Sequence, residues 1–426
     1  MKKLMLIAVL LVFASGSAFA AAEWNFYGSA RVSTFYSSFE DDPFAYNSDT
    51  LQYSETDNFD MDLNGNARIG ANIKVNDDLT ARFEYGAKKD NSNIRILWGE
   101  WNFGKGKLGV GQHYTPLLFP YSNMVYNIHG KEDGDVNMSS FGMLYGSRKP
   151  MVRLKFGNFQ IAMVEPRERV FCARTWNDKD NDGAYDYTSA SNNETDIRES
   201  QPETEVQLPS IQFKYKHDFK AGHISFAGGY QTFDVTEDNE DFKVESYLMG
   251  IGGRVNWGKA YFKANVWGGQ NTGNLADVLT NGNLASTYDA IDSGDSDGSG
   301  MGYARYSDGK VLAATQGGVF QQGEVAGVTD VDVLAAMLVV GYEIRKGLYV
   351  EAGYGYTEAE YDETDSVKDD AETAYIQSTI FLAPGVFITP EIGWYDAKEG
   401  RTTTNSTGSE VNSHLTYAGI KWQINF

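Results

Sequence analysis

The final segment of the chain, His414 to Phe426, limits the possible folds more than any other part of the sequence. Every second residue is apolar or small, and the positions between them are polar or glycine. The first set is Ala418, Ile420, Trp422 and Ile424, and the second is Gly419, Lys421, Gln423 and Asn425. A period of two residues gives a strand with one apolar and one polar face. A strand that stops at a terminal aromatic residue favours the closing strand of a transmembrane β-barrel over a strand of a soluble sheet.

The N-terminus carries the pattern of a secretory signal peptide. Met1-Lys2-Lys3 is basic, residues 4–13 form an unbroken apolar run, and Ala18-Phe19-Ala20 is a small-x-small cleavage site. The apolar run is too short for a membrane-spanning helix, which needs about 20 residues. We therefore predict that residues 1–20 are removed, with cleavage after Ala22 as the alternative.

The composition excludes some classes of function and favours a barrel. A formal net charge of −22 makes nucleic acid a poor partner. The chain has 45 Gly, 26 Tyr and 24 Phe but only 9 Pro, which suits many short strands broken by turns. The single Cys172 allows no internal disulfide.

Sixteen strands are predicted from the alternation, and the connections between them alternate in length. The strands are 24–37, 62–75, 79–88, 93–103, 107–113, 150–157, 158–165, 209–219, 223–234, 243–256, 259–269, 331–345, 347–360, 371–383, 386–396 and 411–426. Tight turns alternate with connections that are mostly long and polar: 38–61, 89–92, 114–149, 166–208, 235–242, 270–330, 361–370 and 397–410. We therefore predict an all-β fold for residues 21–426, a 16-stranded antiparallel transmembrane β-barrel with short periplasmic turns and long extracellular loops.

Aromatic residues near the predicted strand ends suit the two interfacial girdles of such a barrel. Those near the periplasmic end are Trp24, Phe103, Trp257, Trp422 and Phe426. Those near the extracellular end are Phe35, Tyr230, Trp267 and Trp394.

With these features, the chain resembles the general, trimeric porins of Gram-negative outer membranes, and among them those of sulfate-reducing bacteria. The resemblance rests on the signal peptide, the sixteen strands, Phe426 and the segment Ile94 to Gln112, in which an Arg-led strand and a Phe-Gly turn run toward the third loop. It implies an infolded third loop at 114–149, a homotrimer, and outer-membrane lipid and lipopolysaccharide as surroundings. The acidic Pro-Glu-Phe-Gly motif of that family's third loop is absent, and Ser140-Phe141-Gly142 stands in this loop.

Four arginines are predicted to face the lumen at similar heights, on strands close in sequence. By strand parity these are Arg31, Arg68, Arg82 and Arg153. The resemblance implies that they line one side of a constriction and face third-loop carboxylates, here Glu132, Asp133 and Asp135. Opposed charges at a narrow point create a transverse field that orients dipolar solutes. The alternative is that inward charged residues merely solvate a water-filled lumen.

The connection 166–208 contains a pattern typical of a calcium loop. Carboxylates alternate at Asp178, Asp180 and Asp182, a glycine follows, Ala184 offers a carbonyl, and Asp186 adds another carboxylate. The twelfth position is a serine instead of the usual glutamate. A bound structural Ca²⁺ is one interpretation, and a solvated acidic loop is the other.

The sequence predicts an outer-membrane porin that forms a water-filled channel for passive diffusion of small hydrophilic solutes and ions. We predict no enzyme, because the five histidines show no metal-ligand spacing and no nucleophile or phosphate-binding motif is present. Two alternatives stay open. One is a substrate-specific channel, and the other is a surface-structural or adhesive barrel with calcium-bound loops and a plugged lumen.

Overall fold

The computed structural model describes residues 22–47, 52–87, 92–126, 138–139, 141–172, 203–237, 240–276, 304–307, 327–362, 368–398 and 413–426. The predicted signal peptide lies outside these residues. The strands are β1 (Glu23–Asn47), β2 (Gln52–Leu63), β3 (Arg68–Lys74), β4 (Leu79–Ala87), β5 (Ser92–Asn102), β6 (Lys107–Tyr114), β7 (Arg148–Phe156), β8 (Phe159–Val164), β9 (Phe171–Cys172), β10 (Glu203–Glu205), β11 (Ser210–Phe219), β12 (Gly222–Glu237), β13 (Glu240–Trp257), β14 (Ala260–Gln270), β15 (Arg305–Ser307), β16 (Gly327–Thr329), β17 (Val331–Arg345), β18 (Leu348–Tyr361), β19 (Lys368–Ala383), β20 (Val386–Lys398) and β21 (Ser413–Asn425). A single 3₁₀ turn, Thr272–Asn274, follows β14 in the described part. Among the described residues, no helix is long and apolar enough to cross a membrane.

The long strands form one closed antiparallel sheet. Each strand pairs with its neighbour along the chain, and β21 pairs with β1, which removes both sheet edges. β2 and β3 both pair with β1 and share one position in the wall, and β10 continues the position of β11 along β12. The wall therefore has sixteen positions in the described chain, and the predicted 16-stranded barrel is confirmed.

The outer face of the barrel is apolar. In β13, for example, Tyr247, Met249 and Ile251 are exposed, while Leu248 between them is buried on the lumen side. Strands of a soluble sheet bury such side chains, whereas exposed apolar side chains around a closed sheet suit contact with hydrocarbon.

The connections differ between the two ends of the barrel, as predicted. At one end, tight turns join β3 to β4, β5 to β6, β7 to β8, β11 to β12, β13 to β14, β17 to β18 and β19 to β20. Gly258 has φ 60°, a left-handed conformation that lets β13 reverse directly into β14. The other end carries the longer connections.

Two of the predicted long connections are wrong. The segment 38–61 is mostly strand, because β1 runs to Asn47 and β2 begins at Gln52. The segment 235–242 is a tight hairpin between β12 and β13. The sequence of 38–61 is rich in Asp, Glu, Ser and Asn, so it lacks the apolar alternation that predicts a lipid-facing strand.

The predicted strand 62–75 is interrupted. Leu63 pairs with Val32 and Arg68 with Ser29, so the second strand holds two more residues than β1 over this interval. Asn64 fills the turn, donating from Nδ2 to Ser33 Oγ (3.1 Å). Because the insertion is even, the residues on both sides of it keep the same face, and Arg68 stays on the lumen side.

The predicted aromatic girdle is wrong for two residues. Phe35 and Trp267 are 4% and 1% exposed and lie on the lumen side, whereas Trp257 is 78% and Phe426 71% exposed. Strand parity alone places Phe35 with the inward Ser33. These two aromatics are buried because the connection between β6 and β7 packs on them.

A small sheet of β9, β15 and β16 lies at the end with long connections. Val170 and Ala304, beside its strands, pack with Phe233, Val235 and Val244 at the tips of β12 and β13. Two long connections therefore meet at this rim.

Candidate functional site

The third loop, between β6 and β7, lies inside the barrel. Its described residues are 115–126, 138–139 and 141–147. Leu117, Phe119 and Phe141 are at most 1% exposed. A segment of this composition cannot be buried in a water-filled lumen unless the inner wall offers an apolar surface.

The inner face of β17 supplies that surface. Val333, Ala335, Met337 and Val339 point inward and are buried, while Leu334 and its outward neighbours are exposed. β17 is therefore apolar on both faces, toward lipid outside and toward the third loop inside. The apolar run from Val333 to Val340 was the available signal in the sequence, because a strand facing water on one side should alternate.

Gly142 seats the loop against this wall. Its carbonyl accepts hydrogen bonds from Trp267 Nε1 (3.0 Å) and Asn265 Nδ2 (2.6 Å), and its N–H donates to Thr357 Oγ1 (2.9 Å). Gly142 has φ 88°, and a Cβ there would lie 2.1 Å from the carbonyl oxygen of Ala336. Only glycine allows this close approach of loop and wall.

Glu351 of β18 is the first of two wall carboxylates that bind the loop. Its oxygens accept from the main-chain N–H of Asn123 (3.0 Å) and from Asn123 Nδ2 (2.7 Å). Lys263, Tyr261 and Tyr375 bind the same carboxylate at 2.9, 2.7 and 2.6 Å. Glu351 is only 3% exposed, and Lys263 compensates the charge that burial would otherwise make costly.

Glu391 of β20 is the second wall carboxylate that binds the third loop. It accepts from the main-chain N–H groups of Val125 (2.8 Å) and Tyr126 (2.9 Å) and is 2% exposed. The Tyr126 ring stacks on Tyr417 of β21, with centroids 4.1 Å apart. Burial raises the pKa of the Tyr126 hydroxyl to about 12, so it stays protonated at neutral pH. We call Glu351 and Glu391 the loop latch.

A group of arginines surrounds Glu84 on another part of the wall. Arg95 Nε, Arg82 Nη2 and Arg68 Nη1 lie 2.8, 2.9 and 3.4 Å from the Glu84 carboxylate. Tyr27 also donates to it (2.8 Å). The side chain of Glu84 is completely buried. We call Arg68, Arg82 and Arg95 the arginine cluster.

Arg95 and Glu84 were missed by sequence reasoning. Glu84 pairs with Ile96 and the next residue with Ile94, so Arg95 is the extra residue of a β-bulge. The bulge turns Arg95 into the lumen, against the parity of its strand. The signal was that parity alone would place an arginine on the lipid face, which is costly.

Of the four predicted arginines, the structure brings Arg68 and Arg82 together on Glu84. Arg31, on β1, donates to Ser29 Oγ (2.7 Å), and Ser29 pairs with Arg68. Arg153 binds a different carboxylate, with its Nη2 3.4 Å from Glu100 Oε2, and its guanidinium lies 4.6 Å from the ring centroid of Trp98. The four predicted arginines thus belong to two neighbouring groups on one wall.

The remaining predicted site residues lie outside the described residues. These are the acidic loop residues Glu132, Asp133 and Asp135, and the proposed calcium ligands Asp178, Asp180, Asp182, Ala184 and Asp186. In the part of the chain that the structure does describe, no three His, Cys, Asp or Glu residues are grouped as metal ligands. Both sets stay predictions.

No family model and no curated protein matches the sequence. Solved structures do match. The outer membrane channel DcaP of Acinetobacter baumannii is 12% identical with a TM-score of 0.59, over 96% of this chain and 99% of that one. An anion-selective porin from Comamonas acidovorans is 11% identical with a TM-score of 0.51, over 95% and 100%. OmpT, an outer membrane protein of Vibrio cholerae, in its trimer form is 15% identical with a TM-score of 0.51, over 95% and 100%. At these identities the likeness shows the fold alone, a closed antiparallel β-barrel shared with these outer-membrane proteins.

Proposed function

We propose that this protein is an outer-membrane porin that forms a water-filled channel for passive diffusion of small hydrophilic solutes and ions. The proposal rests on the position of the third loop, which packs mainly against one side of the barrel wall. Its contacts run from Lys214 of β11, which donates to the Leu118 carbonyl, to Tyr417 of β21 and Phe35 of β1. The loop narrows the lumen from that side.

The opposite wall supports a path for water and solutes. Strands β3 to β7 present Arg68, Arg82, Glu100 and Lys107 to the lumen, and the side chains of Arg82 and Lys107 are 35% and 47% exposed. Side chains that carry charge and remain exposed inside a closed sheet require water beside them. A constriction lined by fixed charge on one side, with a tightly held loop on the other, would pass small polar solutes and retard apolar ones.

The proposal includes location and assembly. The apolar outer face suits the outer membrane, with lipid and lipopolysaccharide around it, the short turns in the periplasm and the long connections outside. The trimer form of the Vibrio cholerae structure supports a homotrimer for this chain.

Other functions fit less well. A substrate-specific channel would use the same constriction with a tighter solute preference. An adhesive barrel with a plugged lumen would need a plug against β3 to β7. Apart from Tyr145, whose ring meets Tyr114 of β6, the contacts of the described loop residues are instead with β11 to β21 and β1. We propose a channel and no enzymatic activity.

Liposome swelling tests the proposal. Vesicles with the folded protein should swell in isotonic solutions of small sugars, at rates that fall steeply with sugar size. Vesicles with heat-denatured protein are the control. Equal swelling rates in the two preparations would contradict the channel, and swelling with a single sugar would favour the substrate-specific alternative.

A further inference from the structure

We infer that the channel prefers small anions over cations, although the chain as a whole is strongly acidic. The inference rests on the proposed function and adds the charge class of the permeant solutes. It follows from which charges of the lumen are exposed and which are buried.

The wall from β3 to β7 is basic. Within these five strands, nine residues are cationic and two are carboxylates. The cations are Arg68, Lys74, Arg82, Arg95, Lys107, Arg148, Lys149, Arg153 and Lys155, and the carboxylates are Glu84 and Glu100. These counts cover both faces of the strands, since neighbours such as Arg148 and Lys149 alternate between the two faces. We call the inner face of these strands the basic wall.

Four carboxylates of the inner wall are buried or bound. Glu84 is completely buried under the arginine cluster, and Glu100 is bound by Lys107 (2.8 Å) and Arg153 (3.4 Å). The two latch carboxylates, Glu351 and Glu391, are 3% and 2% exposed because they hold the loop. Asp60 and Asp62 of β2, paired with Phe35 and Ser33, also lie on the lumen side, so the inference rests on the excess of cations on strands β3 to β7.

Two cations of the basic wall are more exposed than the carboxylates that they bind. The Arg82 side chain is 35% exposed while its partner Glu84 is not exposed at all. The Lys107 side chain is 47% exposed, against 18% for Glu100. At these two pairs, an ion that passes the wall therefore meets the guanidinium or ammonium group before it meets the carboxylate.

A net positive lining inside a low-dielectric wall raises the local concentration of anions and repels cations. The effect reaches about one Debye length, which is about 10 Å at 0.1 M salt and about 3 Å at 1 M. Selectivity that arises from this lining must therefore weaken as the salt concentration rises.

The test is the reversal potential of single channels in planar bilayers under a potassium chloride gradient. We expect the potential to lie on the chloride side when the dilute compartment is near 0.1 M, and to move toward zero when both concentrations are raised toward 1 M and above at the same concentration ratio. A potential on the potassium side, or one of zero at low salt, would overturn the inference while leaving the channel itself intact. Absence of any conductance from folded protein would overturn the proposed function and this inference together.

Single variants locate the effect. Arg82→Gln and Lys107→Gln should each move the reversal potential toward the potassium side. In Arg82→Gln the buried Glu84 carboxylate keeps Arg68 and Arg95 as partners. Lys243→Gln is the matched control. The variant removes the same charge, but Lys243 pairs with Glu245 on the outer face of the barrel, beside Tyr230. Lys243→Gln should therefore leave the reversal potential unchanged. An equal shift in Lys243→Gln, or none in the other two, would contradict the basic wall as the source.

Discussion

Glu351 binds Asn123 through both carboxylate oxygens, accepting the main-chain N–H at 3.0 Å on one and the side-chain amide at 2.7 Å on the other. One wall residue thereby fixes both the path of the third loop and the orientation of a loop side chain. Lys263, 2.9 Å away, supplies the compensating charge. The position of the loop therefore depends on a buried ion pair.

Replacing Glu351 by Gln should destabilise the protein. Lys263 would keep its charge, 6% exposed, with no carboxylate beside it, and breaking a buried pair in this way costs about 3–5 kcal/mol. The free energy of unfolding in urea from detergent micelles measures the loss. Glu245→Gln is the control, because its pair with Lys243 is exposed and contributes little. Equal losses in the two variants would contradict the latch.

Gly142→Ala should displace the third loop. The added methyl group would meet the Ala336 carbonyl, and alanine is strained at φ 88°. We expect a loss of about 1–3 kcal/mol in the free energy of unfolding, together with noisier single-channel current. Gly99→Ala is the matched control, since nothing lies within 4 Å of a Cβ there. An unchanged Gly142→Ala protein would mean that the loop is not seated on β17.

The double change Arg68→Ala and Arg82→Ala should widen the narrow region and remove two of its cations. We expect a higher single-channel conductance, faster entry of larger sugars and a reversal potential shifted toward cations. Arg148→Ala, at the start of β7 over the Tyr114 ring, removes one cation that is not among the arginines bound to Glu84. If the double variant changes conductance and reversal potential no more than Arg148→Ala does, the arginine cluster does not line the narrow region.

Asp330, between β16 and β17, should make rim stability depend on pH. Burial raises the pKa of this carboxyl, further raised by Asp332 and Asp362, although Asn271 donates to it at 2.6 Å. A raised carboxyl pKa means that the ionised form costs stability above the folded-state pKa, and that the cost disappears as pH falls through it.

Asp330→Asn keeps an oxygen acceptor for Asn271 but cannot ionise. The variant should therefore be more stable than the native protein at pH 7, with an advantage that shrinks as pH falls through the raised pKa toward about 4. Urea unfolding of both proteins across this range measures the difference. An advantage that is independent of pH would exclude ionisation of Asp330 as its source.

The calcium prediction for the connection 166–208 is tested by metal binding and protease resistance. Four carboxylates within nine residues repel one another, and Ca²⁺ should relieve that repulsion with modest affinity, because the usual twelfth-position glutamate is missing. Calorimetry should detect binding that Asp180→Ala and Asp182→Ala abolish. Unchanged calcium uptake and protease resistance in both variants would leave a solvated acidic loop.

Much of the barrel was predictable because lipid outside and water inside impose a period of two on every spanning strand. The constraint ends at the membrane surface, so the sequence predicts loops at 38–61 and 235–242, where β1, β2, β12 and β13 continue as strands. Parity also gives the face of Arg68 and Arg82 correctly, since the insertion before Arg68 is even.

The site was less predictable, because parity says nothing about which side chains meet. The bulge that turns Arg95 inward breaks the parity rule, and only the cost of an arginine in lipid hinted at it. The latch depends on Glu351 and Glu391 lying opposite loop N–H groups, a contact between segments more than 200 residues apart. Within the sequence itself, the apolar residues on both faces of β17 were the sign that another segment covers the inner wall there.

The most direct measurement for the whole account is the current through the folded protein in a planar lipid bilayer. We expect stepwise insertion of open, water-filled channels with large conductance, and each channel should close in up to three steps if the assembly is a trimer. Membranes that stay electrically silent, despite protein that is demonstrably folded and inserted, would contradict it.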